Sequence, residues 1–230
     1  MKNKFTVQAI TFSALCIVLI NTGLAQTNGK YGNTPEDSIK CVQNLSLYVE
    51  FYKQKSYKDA LAGWSWVFNN CPQSSKKMYA DGADMYDFFI KKEKDQIIKE
   101  RLIDTLLLIY DRRIEYFDQE GFVLGLKGVD ILQYRKDRFE DAYSTLQKSV
   151  EKEGNQSKAG ALTAYFQAGA MMLDKSKIDK EKVIEIFDKV SGIIDYQLSK
   201  LTEESKRKYY LTAKENVEML FEPIANCEDL

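Results

Sequence analysis

The chain has 230 residues, with 33 basic side chains against 34 acidic ones and no histidine. Hydrophobic residues at 44% and aromatic residues at 12% are enough for a folded core, which excludes a disordered chain. The lack of histidine excludes Ser-His-Asp and Cys-His catalysis and histidine metal sites. The charge balance argues against nucleic-acid binding, which needs an excess of basic side chains.

Residues 1–25 have the pattern of an export signal. Two lysines precede an uncharged apolar stretch over residues 9–20, and the small residues Gly23 and Ala25 follow it. We therefore predict that a signal peptide is cleaved before Gln26. An uncleaved membrane anchor is the alternative, but the apolar stretch is shorter than the roughly 18 to 20 residues that span a bilayer.

Residues 26–34 carry threonine, asparagine and two glycines, and we predict a flexible leader there. Thr34 supplies an N-cap hydroxyl and Pro35 a first helical residue, so the helical domain is expected to cover residues 35–222. Pro223 is expected to end the last helix, which leaves residues 223–230 as a tail. The helical spacing of apolar residues predicts helices near residues 35–53, 57–70, 75–93, 96–117, 122–136, 139–152, 158–174, 180–198 and 202–221.

The predicted helices are joined by short loops, which favour antiparallel neighbours. No segment alternates convincingly between apolar and polar residues with the period of a strand. The chain is therefore predicted to be all-α and built from consecutive helical hairpins.

A spacing of apolar residues recurs in two of these hairpins. An aromatic residue stands three positions before an alanine and a large apolar residue four positions after it, first in Tyr57, Ala60 and Trp64 and again in Phe139, Ala142 and Leu146. This spacing resembles the tetratricopeptide repeat (TPR), in which the alanine is small because two helices cross there. The resemblance covers about residues 35–200 with an irregular period, and an irregular helical bundle is the alternative. It implies antiparallel hairpins stacked as a TPR-like right-handed solenoid.

At a coarser level, the chain resembles the N-terminal part of larger exported TPR proteins of Gram-negative bacteria.

Three cysteines follow the predicted signal peptide: Cys41, Cys71 and Cys227. Cys41 and Cys71 lie at equal distances on either side of the turn predicted near Ser56, so an antiparallel hairpin brings them level. A disulfide between them is predicted, and an oxidising compartment permits it. Two buried thiols are the alternative. Cys227 has no evident mate.

Repeats of the TPR type present the inner surface of the first helix of each hairpin to a partner. The resemblance places two groups of four residues there. They are Leu45, Val49, Tyr52 and Lys53 in the first group, and Lys127, Ile131, Tyr134 and Arg135 in the second. Each group pairs an aromatic residue with a cation, which suits apolar, stacking and hydrogen-bonding contacts to a peptide.

The sequence contains no arrangement that predicts catalysis, a cofactor or a metal site. We therefore expect a non-catalytic scaffold that binds a protein or peptide partner. It is expected to be exported to the periplasm or associated with the outer membrane, where it could be part of a complex. We do not expect the protein to bind nucleic acid, or to span a membrane once the signal peptide is cleaved. The alternative is a protein that binds a small molecule or a glycan, for which Trp64 and Trp66 could form a platform.

Overall fold

The structure is a computed structural model that describes residues 29–225. Within that range the chain forms nine α-helices and two short 3₁₀ turns and contains no β-strand, which confirms the all-α prediction. The helices are α1 (Pro35–Lys53), α2 (Tyr57–Asn70), α3 (Lys76–Lys92), α4 (Gln96–Tyr116), α5 (Glu120–Tyr134), α6 (Phe139–Glu153), α7 (Ala159–Asp174), α8 (Lys180–Lys200) and α9 (Glu204–Ala225).

Side-chain caps determine where several helices begin. The Thr34 hydroxyl accepts a hydrogen bond from the Asp37 amide at 3.1 Å, as its N-cap position predicts. Asp95 caps α4 in the same way, and Asp179 caps α8. These local signals explain why the helix boundaries could be predicted closely from the sequence.

The end of α9 differs from the prediction. Pro223 was expected to end this helix near residue 221, but α9 includes the proline and continues to Ala225. Proline removes one backbone hydrogen bond, and packing offsets that loss: Ile224 lies against the core, and the ring of Phe221 stacks on Phe187 with centroids 3.9 Å apart. Tertiary packing therefore overrides the local stop signal.

Consecutive helices pack against each other along the whole described chain, and α7 also packs against α5 and α9. The alanines of the repeated spacing lie where helices cross, because Ala60 and Ala142 are both completely buried. Trp64 is buried beside Ala60, and its indole N–H donates to the carbonyl of Met78 at 2.9 Å. The repeated spacing thus marks two hairpin crossings.

Three glycines set the orientation of α5. Gly121, Gly125 and Gly128 share one side of this helix and face α6. A Cβ atom at Gly128 would come within 2.4 Å of the Leu146 side chain, and one at Gly125 within 2.9 Å of the Ser149 hydroxyl. These close approaches fix which side of α5 contacts α6.

A disulfide joins the first hairpin. The sulfur atoms of Cys41 and Cys71 are 1.99 Å apart, and their Cα atoms are 6.3 Å apart. The predicted pairing is confirmed. It ties the first half of α1 to the C-terminal end of α2.

The predicted signal peptide, the first part of the leader and the last residues of the tail lie outside the described residues. Between residues 29 and 225, no helix has both the length and the apolar character that crossing a membrane requires.

Candidate peptide-binding groove

Two open cavities adjoin at the beginning of α7. One has a volume of about 530 Å³ and lies between α7, α9 and the end of α8; the other, of about 710 Å³, extends along α7 and α9 to Val129 of α5. Both are lined by Ala159, Gly160 and Tyr209. We term the two cavities together the α7 groove.

Small side chains form the floor of the α7 groove. Ala159, Gly160, Thr163 and Ala164 lie on the side of α7 that faces α9. At Gly160 nothing stands within 4 Å of the position that a Cβ atom would take, so the backbone is open to the groove. Tyr209 of α9 is 70% exposed beside this floor. An aromatic residue so exposed next to small residues can serve as a contact point for a ligand.

Several polar side chains along the groove have no partner among the described residues. Lys158, Gln167, Lys208 and Asn216 line it, and none of these side chains forms a hydrogen bond or ion pair with another described residue. Amide side chains both donate and accept hydrogen bonds, and lysine donates three. The groove thus has free capacity for hydrogen bonding and for electrostatic attraction.

A smaller cavity of about 210 Å³ adjoins the groove at Gly160. Its apolar wall comes from Phe122, Leu126 and Val129 of α5, and Asp130 also lines it. The Tyr110 hydroxyl donates to the Asp130 carboxylate at 2.6 Å.

Burial raises the pKa of Asp130 to about 6. The hydrogen bond from Tyr110 opposes this shift, Asp87 adds to it, and Lys91 opposes it.

The surface formed by α1, α3 and α5 differs from the groove, because its polar groups bond to each other. The hydroxyls of Tyr52 and Tyr57 donate to Asp84 of α3 at 2.9 and 3.2 Å. The Tyr134 hydroxyl of α5 donates to Asp87, which also pairs with Lys91. Two carboxylates of α3 therefore connect it to α1 and to α5.

These bonds change the titration of the tyrosines. Burial, followed by the hydrogen bond to Asp84, raises the pKa of Tyr52. Burial, followed by the hydrogen bond to Asp87, raises the pKa of Tyr134. Both hydroxyls consequently remain protonated donors even at a pH where a free tyrosine would ionise.

The four residues predicted on α1 differ in exposure and in their bonds. Leu45 and Val49 are half-buried and pack against the core, and the Tyr52 hydroxyl is bonded to Asp84. Lys53 alone of the four is exposed.

The second predicted group has three residues on α5 and Arg135 directly after it, and it lies on the side opposite to Phe122, Leu126 and Val129. Ile131 is only 3% exposed. Three ion pairs hold the two cations on α4: Lys127 with Asp111 at 2.5 Å, Arg135 with Asp104 at 2.5 Å, and Arg135 with Glu100. Tyr134 is bonded to Asp87 as described above. The structure does not bring these four residues together with the α7 groove, so their role in partner binding stays a prediction.

The sequence reasoning missed the groove residues on α7 and α9. The repeat signature fades after Leu146, so counting positions from it gives no contact residues there. A usable signal was present in the four alanine and glycine residues between Ala159 and Ala164, which allow neighbouring helices to approach α7 closely. The three glycines of α5 could also have shown which side faces α6.

Trp64 and Trp66, the alternative platform for a glycan, both pack in or against the core. Trp64 is 1% exposed and bonded within the core, so its ring offers no surface for a sugar. Trp66 is partly buried and packs against the core.

Among residues 29–225, no three acidic or cysteine side chains are grouped so that they could hold a metal ion.

No protein-family model, curated protein or solved structure matches the chain.

Proposed function

We propose that this protein is a non-catalytic interaction scaffold of the bacterial cell envelope, which binds a segment of a protein partner in the α7 groove. The hairpins would stack as a TPR-like right-handed solenoid, with α5, α7 and α9 as neighbouring first helices. The observation that carries the proposal is a groove with a floor of small residues and unpaired polar side chains beside it.

The packing order supports this arrangement. The first helices of successive hairpins contact each other in the second half of the chain, where α7 lies between α5 and α9. The second helices α6 and α8 also pack on α7. A stack of this kind leaves one long surface of the first helices open to a partner.

The size and chemistry of the groove also favour a peptide segment. Its two cavities lie along two helices rather than forming one closed chamber, which suits an elongated ligand. The small floor allows a backbone to approach closely, and the Tyr209 ring offers an apolar contact. The disulfide and the apolar N-terminal stretch support an oxidising location outside the cytoplasm.

The test is selection of peptides from a displayed random library on the immobilised protein. Gly160→Trp should fill the groove and reduce the binding of selected peptides at least about tenfold, since a large side chain would occupy the shared floor. Gly192→Trp is the matched control, because Gly192 is an exposed glycine of α8 that likewise has no atom within 4 Å of its Cβ position.

Selected peptides with the same affinity for both variants and for the unaltered protein would show that binding takes place outside the α7 groove. Failure to select any peptide would contradict the proposal. Melting temperatures of both variants would show that the helical fold is retained.

A further inference from the structure

The charge of the α7 groove differs from that of the whole chain. Three lysines line its two cavities, Lys158, Lys206 and Lys208, and no described aspartate or glutamate lines either of them. The chain as a whole has a formal net charge of −1. The groove is thus a basic region on a protein of nearly balanced charge.

Two of these lysines are available to a ligand. Lys206 pairs with Glu203 at 2.6 Å, whereas Lys158 and Lys208 form no ion pair with any described residue. All three are exposed. Lys158 precedes α7 and Lys208 belongs to α9, so the two free charges come from helices on opposite sides of the groove.

The uncharged lining indicates the conformation of the ligand. Gln167 of α7 and Asn216 of α9 carry unpaired amides, and each can bond both an N–H and a C=O group. An extended backbone exposes such groups, whereas a helix uses its own internally. The floor of Ala159, Gly160 and Thr163 gives the backbone room to reach these amides.

We propose that the occupant of the α7 groove is an extended acidic peptide segment whose carboxylates contact Lys158 and Lys208. This inference rests on the proposed function and gives its ligand a chemical class. Complementary charge chiefly favours the correct partner and speeds encounter, while the apolar and backbone contacts supply the remaining affinity.

The adjoining smaller cavity is lined by Asp130 and Glu153 and also by Lys158. Carboxylates of the ligand should therefore contact Lys158 from the groove and stay out of this cavity, where the two acidic side chains would repel them.

The test uses synthetic peptides of one length and one apolar content, in which the variable positions are all Glu, all Gln or all Lys. At low salt, the Glu peptide should bind at least about tenfold more tightly than the Gln peptide, and this preference should shrink as salt is added. Lys158→Glu combined with Lys208→Glu should abolish the preference or invert it toward the Lys peptide.

Lys148→Glu combined with Lys189→Glu is the matched control. Both lysines are exposed on the outer helices α6 and α8, so this pair changes the net charge equally and should keep the preference for the Glu peptide. Loss of the preference in this control would overturn the inference, because it would reflect overall charge alone.

Other outcomes separate the two proposals. Equal binding of the Glu and Gln peptides, lost in Gly160→Trp, would overturn the acidic ligand and leave the groove function standing. Tighter binding of polygalacturonate than of the Glu peptide would assign the groove to an anionic glycan. A dimer that Gly160→Trp dissociates would assign it to a second copy of this chain. Binding of none of these probes would refute the inference.

Discussion

Helices α1 to α4 and helices α5 to α9 are held together by different chemistry. The first group contains the disulfide, the buried Trp64 and tyrosine hydroxyls bonded to α3 carboxylates. In the second group α7 meets α5 and α9 through small side chains, and the polar side chains of Lys158, Gln167, Lys208 and Asn216 beside it are unpaired. The first half thus joins helices through bonds between tyrosine hydroxyls and carboxylates, and the second half leaves several polar side chains along α7 and α9 unpaired.

The difference shows that an aromatic residue beside a cation occurs in two different settings in this protein. Tyr134 and Arg135 form such a pair, yet both bond to neighbouring helices. Tyr209 beside Lys208 is the same combination, and neither side chain has a polar partner. What distinguishes the two pairs is whether acidic residues on adjacent helices are within reach.

Removal of the disulfide should have the largest effect on stability. In a Cys227→Ala background, replacing Cys41 and Cys71 by alanine should lower the free energy of unfolding by about 3 to 4 kcal/mol, because a long loop is no longer closed in the unfolded chain. Urea titration with and without reductant measures this. The disulfide-free protein should be insensitive to reductant, and equal stability of the oxidised and disulfide-free proteins would contradict the prediction.

The free energy of unfolding should depend on pH through Asp130, which joins α5 to α4 at the boundary between the two halves. Its pKa is about 6 in the folded chain and near 3.8 when unfolded, so the folded state binds the proton more tightly. Ionisation therefore costs folding stability as pH rises from about 4 to about 7, on the order of 2 to 3 kcal/mol in total.

Asp130→Asn should remove that cost and keep an acceptor for the Tyr110 hydroxyl. Its stability relative to the unaltered protein should rise over the same pH window, as measured by urea titration at several pH values. A difference that stays constant with pH would show that Asp130 is not the group responsible.

A methyl group added to α3 should lower the stability of the protein, whereas one added to α8 should not. At Gly82 a Cβ atom would come within 2.4 Å of the Trp64 ring, so Gly82→Ala should cost about 2 kcal/mol. Gly192→Ala meets no atom within 4 Å and should stabilise the protein by about 0.5 to 1 kcal/mol through helix propensity. Thermal unfolding followed by circular dichroism compares the two, and equal melting temperatures would argue against the packing described around Trp64.

The smallest expected effects come from the tyrosine hydroxyls. Tyr134→Phe should lower the free energy of unfolding by about 1 kcal/mol and Tyr52→Phe by about half as much, since Tyr57 also donates to Asp84. Tyr209→Phe should leave stability unchanged. If the first two variants instead keep full stability and lose peptide binding, the surface predicted from the repeat pattern is the binding surface after all.

Much of the fold could be predicted because its signals are local. Apolar spacing and capping residues such as Thr34 act within one helix, and the equal distances of Cys41 and Cys71 from one turn are enough to pair them. The continuation of α9 past Pro223 could not be predicted this way, because it depends on packing against residues distant in sequence.

The candidate groove was harder to predict for a geometric reason. Counting positions from Ala142 assigns contacts to Lys127, Ile131 and Arg135, but the glycines of α5 turn that side toward α4. A helix has the same periodicity on every side, so spacing alone cannot say which side a neighbour covers. That information lies in the neighbouring helices.

The link between Cys41 and Cys71 also limits how far the chain can be pulled. Force applied to the two ends passes through the disulfide, so the residues between these cysteines, 30 positions apart, carry no tension. At about 3.4 Å per extended residue, the oxidised chain would stretch to a contour roughly 100 Å shorter than the reduced one. Helix α2 lies wholly inside this shielded loop and would bear no load until the bond is reduced.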